Sequence, residues 1–210
     1  MSAPAEPDDD VQRVLPLGHS LGVRDDGTRF EVRLGPLLHR LDAPRFAVWA
    51  LCSGLPDAVG PWTAADVLAR ALDAGVADAA QALDRLRADG LVATAAPVGP
   101  TAHELARRVR LMPQLLGLGN SAEAPHSWSM GFPDRPVVAL DATLYDLVCT
   151  AHLDSSLWRA CESSSAVARR SGVPDPVATD PEQLLAALLR AIHPLLSSGA
   201  VRLDTWQVQP

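Results

Sequence analysis

Cys149, His152 and Cys161 fall within one short stretch, so three soft or borderline donors that a zinc ion accepts lie close together in the chain. Structural zinc sites, however, show paired ligands at turn-compatible spacing. Here Cys149 sits in the apolar run YDLVCTAHL, where a thiol packs as a small hydrophobe. A second candidate is LGLGNS at 116–121, whose glycine backbone could turn its amides toward an anion. It has neither the third glycine of a dinucleotide fingerprint nor the Gly-Lys-Ser/Thr of a phosphate loop, so a structural turn is expected. No metal and no cofactor are predicted.

Nucleophilic catalysis would need a Ser or Cys placed beside a base. No Gly-x-Ser-x-Gly elbow is present, and no recognisable context surrounds any of the three cysteines. His39, His103, His126 and His193 are scattered over segments of different type. The chain is therefore predicted not to be an enzyme; a ligand or metal near Asn120 to Trp128 would restore the enzyme reading. Among residues suited to contact with a partner or a nucleic acid, Arg107, Arg108 and Arg110 form the one basic cluster, ARRVR. Trp128, in PHSWSMGF, suits an exposed aromatic anchor, and equally a plug between two units.

These residues sit in a chain of 210 residues, 48% apolar, which is enough for one large core or two small ones. Every basic residue is an arginine, a bias that fits a GC-rich coding sequence. The formal charge is −7 and the pI about 5.3, so the molecule repels nucleic acid unless a basic face is segregated. Three cysteines without close pairing make no disulfide framework, and a reducing cytoplasm is the expected setting. The opening MSAPAEPDDD has no positive start followed by an apolar run, and no stretch reaches the roughly 18 apolar residues of a membrane helix. Residues 1–12 are expected to form a disordered acidic tail.

The elements that must position the candidates follow from periodicity. Two extended runs around Asp25-Asp26-Gly27 predict a β-hairpin over 20–34, and a third strand follows over 37–41. Asp42 precedes Phe46, Trp49 and Ala50 at helical spacing and reads as an N-cap, with the helix ending at Gly54. Thr63 caps a second helix that closes at Gly75. A third, over 77–89, has Ala80, Leu83 and Leu86 as its buried stripe. LVATAA and ELARRVRLMP are then expected as two returning strands, with the basic cluster on the second. This is the element order of a winged-helix unit.

The order recurs. Leu140-Asp141-Ala142 repeats Leu41-Asp42-Ala43, a long apolar helix over 182–199, kinked or shortened at Pro194, stands for the third helix, and AVRLDTWQV returns as a strand. The fold class predicted is α+β, mainly helical: two tandem winged-helix units over 13–112 and 137–210, the first preceded by a β-hairpin, joined by a Gly/Pro-rich linker loop over 113–136. The apolar helix is left either buried between the units or available as a homodimer seam. As DNA readers the third helices are poor: Gln81, Arg85 and Arg87 are diluted by Asp78, Asp84 and Asp89, and the second has Arg190 alone.

Hairpin, strand LLHRLD, helix APRFAVWALCSG, short helix WTAADVLARAL and then DAAQALDRLRADGLV resemble the PqqD-like family, the recognition elements that bind leader peptides of ribosomally made, modified peptides. The likeness covers about residues 20–95 and lies in spacing and apolar pattern. What it implies is a peptide laid as an added strand beside the third strand and against the third helix. Leu38, Arg40, Gln81 and Arg85 would then line the groove, with Arg40 and Arg85 suiting an acidic peptide. The expected function is a cytoplasmic, non-catalytic adaptor that binds a peptide or protein partner and presents it to a modifying enzyme, with no membrane contact. The alternative is a winged-helix DNA-binding regulator using Arg107, Arg108 and Arg110.

Overall fold

Asp42 accepts a hydrogen bond from the Arg45 amide at 3.0 Å and Asp141 one from the Leu144 amide at 2.8 Å, so both Leu-Asp-Ala steps are helix starts. Each carboxylate satisfies an amide that a first turn leaves without a partner. The computed structural model in which these caps occur describes residues 8–24, 28–58 and 60–205. The expected Asp25-Asp26-Gly27 turn, Trp206 and residues 1–7 of the expected tail lie outside the described residues.

The first half begins with β1 (Arg13–Pro16) and continues as an antiparallel meander of β2 (His19–Arg24), β3 (Arg29–Leu34) and β4 (Leu37–Asp42). Three helices follow: α1 (Ala43–Leu51), α2 (Ala64–Asp73) and α3 (Ala79–Ala88). Thr63 and Asp66 close a reciprocal capping box at the start of α2. The chain returns as β5 (Val92–Ala95), antiparallel to β1. After a connecting helix, α4 (Pro100–Arg108), the same order repeats. It runs β6 (Val109–Pro113), a meander of β7 (Leu116–Gly119), β8 (Trp128–Phe132) and β9 (Arg135–Leu140), then α5 (Ala142–Thr150), a single 3-10 turn, α6 (Leu157–Arg170), a short α7 (Pro176–Thr179) and α8 (Pro181–Ser197). The last strand, β10 (Val201–Thr205), pairs antiparallel with β6. With more helix than strand and several antiparallel sheets, the fold is mixed α+β.

The structure departs from the sequence expectation in four places. Residues 104–108 are not strand: Ala102, Leu105 and Ala106 are buried at helical spacing behind Pro100, so the segment coils as α4 and ends in Arg107 and Arg108. The returning strand β5 therefore pairs with β1, not with a following wing strand. The 113–136 segment is not one loop, because it holds β7 and β8 and supplies the second half with its own hairpin. Ala80 is exposed, and Ala79, Ala82, Leu83 and Leu86 form the buried stripe of α3.

A single apolar cluster runs through both halves. All four residues of β1 are buried, and a parallel bridge from Leu17 to Leu203 joins the β1–β5 pair to the β6–β10 pair. α8 runs on through Pro194 and buries Leu184, Leu185, Leu188, Leu189, Ile192, Leu195 and Leu196 inside this cluster. Each such side chain gains about 1.5–3 kcal/mol by leaving water. The apolar helix is thus covered within one chain, which removes the reason for expecting it as a homodimer seam. No described helix is long and apolar enough to cross a membrane.

Candidate functional site

Register decides which β4 side chains face the helices. Phe30, Val32 and Leu34 of β3 stand opposite Leu41, His39 and Leu37 of β4, and directly opposed residues share a face. Val32 is fully buried and Phe30 stacks on Phe46 of α1 at 4.2 Å between ring centroids, so this face meets the helices. Leu38 and Arg40 point to the other face, where the Arg40 guanidinium lies 3.6 Å from the buried Glu31 carboxylate.

Gly35-Pro36 is a two-residue connection with Gly35 at φ 55°, the glycine-first geometry of a type II′ turn. It makes Leu34 and Leu37 the closing hydrogen-bonded pair. By alternation, Leu38 and Arg40 then turn their backbone amides and carbonyls away from β3. β4 is the last strand of its sheet, and the Arg45 guanidinium donates to the Arg40 carbonyl at 3.4 Å. The equivalent edge in the second half, β9, differs: Pro136 lacks an amide hydrogen and a register shift interrupts the ladder at Met130 and Gly131. Both features stop an edge from templating a further strand; β4 has neither.

Beside β4 opens a cavity of about 800 Å³. One wall is Leu34, Leu37 and His39 with the end of α3 at Ala88, Asp89 and Gly90; the other is the end of α4, at Arg107 and Arg108, and the start of α6, at Ser156, Trp158, Arg159 and Glu162. The site is therefore composite, one half supplying the strand and the other most of the facing wall. Trp158 is held by tilted contact with the His103 ring at 4.6 Å. His39 Nε2 is buried without a hydrogen-bond partner. Asp89 pairs with Arg45 at 3.8 Å, Arg108 with Glu104 at 3.5 Å and Arg159 with Glu162 at 2.9 Å. Among the described residues Arg107 has no hydrogen-bond or ion-pair partner.

Of the residues singled out in the sequence, Arg107 and Arg108 line this cavity, while Leu38 and Arg40 do not line it and point to the outer face of the sheet. Gln81 and Arg85 are exposed on α3 and do not line it. Arg107 and Arg108 end a helix, contrary to the expected wing strand. Arg110 is on β6, but its guanidinium donates to the carbonyls of His152 and, at 3.1 Å, Asp154, so the expected three-arginine wing is not formed. Trp128 is half-buried against Tyr145, 5.0 Å between centroids. The sequence put Leu38 and Arg40 forward for this strand face; that Leu37 and His39 turn inward follows only from their register opposite Leu34 and Val32, and Trp158 and Arg159 carried no local signal for the site.

The other chemical candidates resolve into packing. The first four residues of LGLGNS become β7, and the Gly119 amide donates to the Tyr145 hydroxyl at 3.0 Å. Burial pushes the Cys52 and Cys161 thiols up to about 12, and it raises Cys149 as well, so none is disposed to form a thiolate at neutral pH. Among the described residues no three His, Cys, Asp or Glu gather as a metal site. Compared with known proteins, the chain matches no protein family, no curated protein and no solved structure.

Proposed function

We propose that this chain is a peptide-binding adaptor of two winged-helix-related units, the first PqqD-like, with no catalytic step of its own. It takes an extended peptide segment as a fourth strand on β4 and holds it for a partner enzyme that modifies it. The observation that carries this reading is the regular edge of β4, which no further strand covers, running beside a cavity of about 800 Å³. The amide and carbonyl of Leu38 and the amide of Arg40 supply affinity that does not depend on side chains, while the Arg40 carbonyl is held by Arg45. Every second side chain of the segment enters the cavity between β4 and α6 and supplies specificity. The intervening side chains lie over the outer face, beside Leu38 and Arg40 themselves.

Panning short random linear peptides on the purified protein, followed by N-methylation of each amide of a recovered peptide in turn, tests this. Expected is a loss of affinity of roughly tenfold or more at every second position, because only alternate amides face β4. Replacing Leu38 by Pro should abolish binding while leaving the fold, since that amide takes no part in the β3 ladder. Recovery of no peptide, or an N-methyl scan without the two-residue period, overturns the reading.

A further inference from the structure

We infer that the cavity beside β4 selects a segment with a carboxylate side chain at one inward-facing position, and that Arg107 is the group that receives it; this rests on the strand-addition reading above. Five charged side chains line the cavity, and four of them are engaged. Asp89 is met by Arg45, Arg108 by Glu104, and Arg159 and Glu162 by each other. Arg107 alone has no partner among the described residues, so the wall carries one uncompensated positive charge. The chain as a whole is at −7, so any attraction for an acidic segment is local to this wall.

The chemistry favours a carboxylate in particular. A guanidinium presents paired donors in a plane that matches the two oxygens of a carboxylate, a fit that a neutral acceptor does not reproduce. Trp158, fixed by His103, offers an apolar surface to the neighbouring inward residue. Arg40, which the sequence pattern put forward for the acid, is instead committed to Glu31 on the outer face. Arg107 is exposed at the end of α4 with no hydrogen-bond or ion-pair partner among the described residues, so replacing it should leave the fold intact.

The test pans one random peptide library against the wild type, Arg107→Gln and Arg107→Glu. The wild type is expected to recover Asp or Glu at one inward position, Arg107→Gln to lose the preference, and Arg107→Glu to recover Arg or Lys there. Changing that acid to its amide should weaken binding to the wild type roughly ten- to a hundredfold and leave binding to Arg107→Gln unchanged. A wild-type pool with no acid at any inward position overturns the inference, as does the same acid retained on Arg107→Glu. The N-methyl scan separates the two claims: a two-residue period without an acid removes only the role of Arg107, whereas loss of the period removes strand addition itself.

Discussion

His193 Nε2 lies 2.8 Å from the Val14 carbonyl, a hydrogen bond from the longest helix of the second half to the first strand of the chain. The imidazole is buried, and Gly54 leaves room for it, since a Cβ there would stand 3.2 Å from His193 Cβ. The bond is made by the neutral ring with Nε2 as donor. Together with the Leu17–Leu203 bridge, it locks the two halves into one core.

Burial holds the His193 pKa below its ordinary 6.5, with Arg13 adding to the effect. Above about 6.5 the ring is neutral folded or unfolded, and the contribution is complete. As the pH falls below that value the unfolded chain takes up a proton that the folded one refuses, so stability is lost until the depressed folded pKa is passed. The melting temperature is expected to drop between neutral and mildly acidic pH, and less steeply in His193→Gln, whose amide keeps a donor and does not titrate. Equal slopes in the two proteins would show that His193 is not the group responsible.

Asp42→Ala and Asp141→Ala should each cost about 1 kcal/mol, because each removes the acceptor for a first-turn amide. The two caps share no partner, so the costs should add in the double variant. Urea midpoints give both numbers.

Gly117 is placed where a Cβ would lie 2.5 Å from the Tyr145 hydroxyl and 3.0 Å from Cys149 Sγ. Gly117→Ala should destabilise by about 1–3 kcal/mol through overpacking. Tyr145→Phe removes the clashing oxygen and should recover part of that loss, although it also gives up the bond to the Gly119 amide. A double-mutant cycle in urea reads the coupling; strict additivity would place the strain elsewhere.

Two arginines three positions apart should behave differently. Arg110→Ala strands the carbonyls of His152 and Asp154 and should cost roughly 1.5–3 kcal/mol. Arg107→Ala removes no hydrogen bond or ion pair among the described residues and should stay within about 0.5 kcal/mol of the wild type. Their order in a denaturant series settles which guanidinium is structural.

Local signals determined much of this protein. Asp42, Thr63 and Asp141 announced their helices because a cap acts on amides within three residues of itself. The hairpin, β4 and the Leu-Asp-Ala repeat were likewise legible, each being a short-range pattern of side-chain alternation and turn chemistry. What the sequence concealed lay where glycine stands for a close approach. Gly117 and Gly131 are strand residues whose missing Cβ admits Tyr145 and the Arg135 carbonyl, so β7 and β8 read as a loop. The helical stripe of Ala102, Leu105 and Ala106 was present in α4, but the element order of a winged helix led to a strand reading of ELARRVRLMP. Which face of β4 turns inward, that Arg110 is tied to two distant carbonyls, and that Trp158 and Arg107 close a cavity against His39 were decided by tertiary structure alone. Those contacts join residues far apart in the chain, and no propensity or periodicity of a short segment contains the geometry of the segment it will meet.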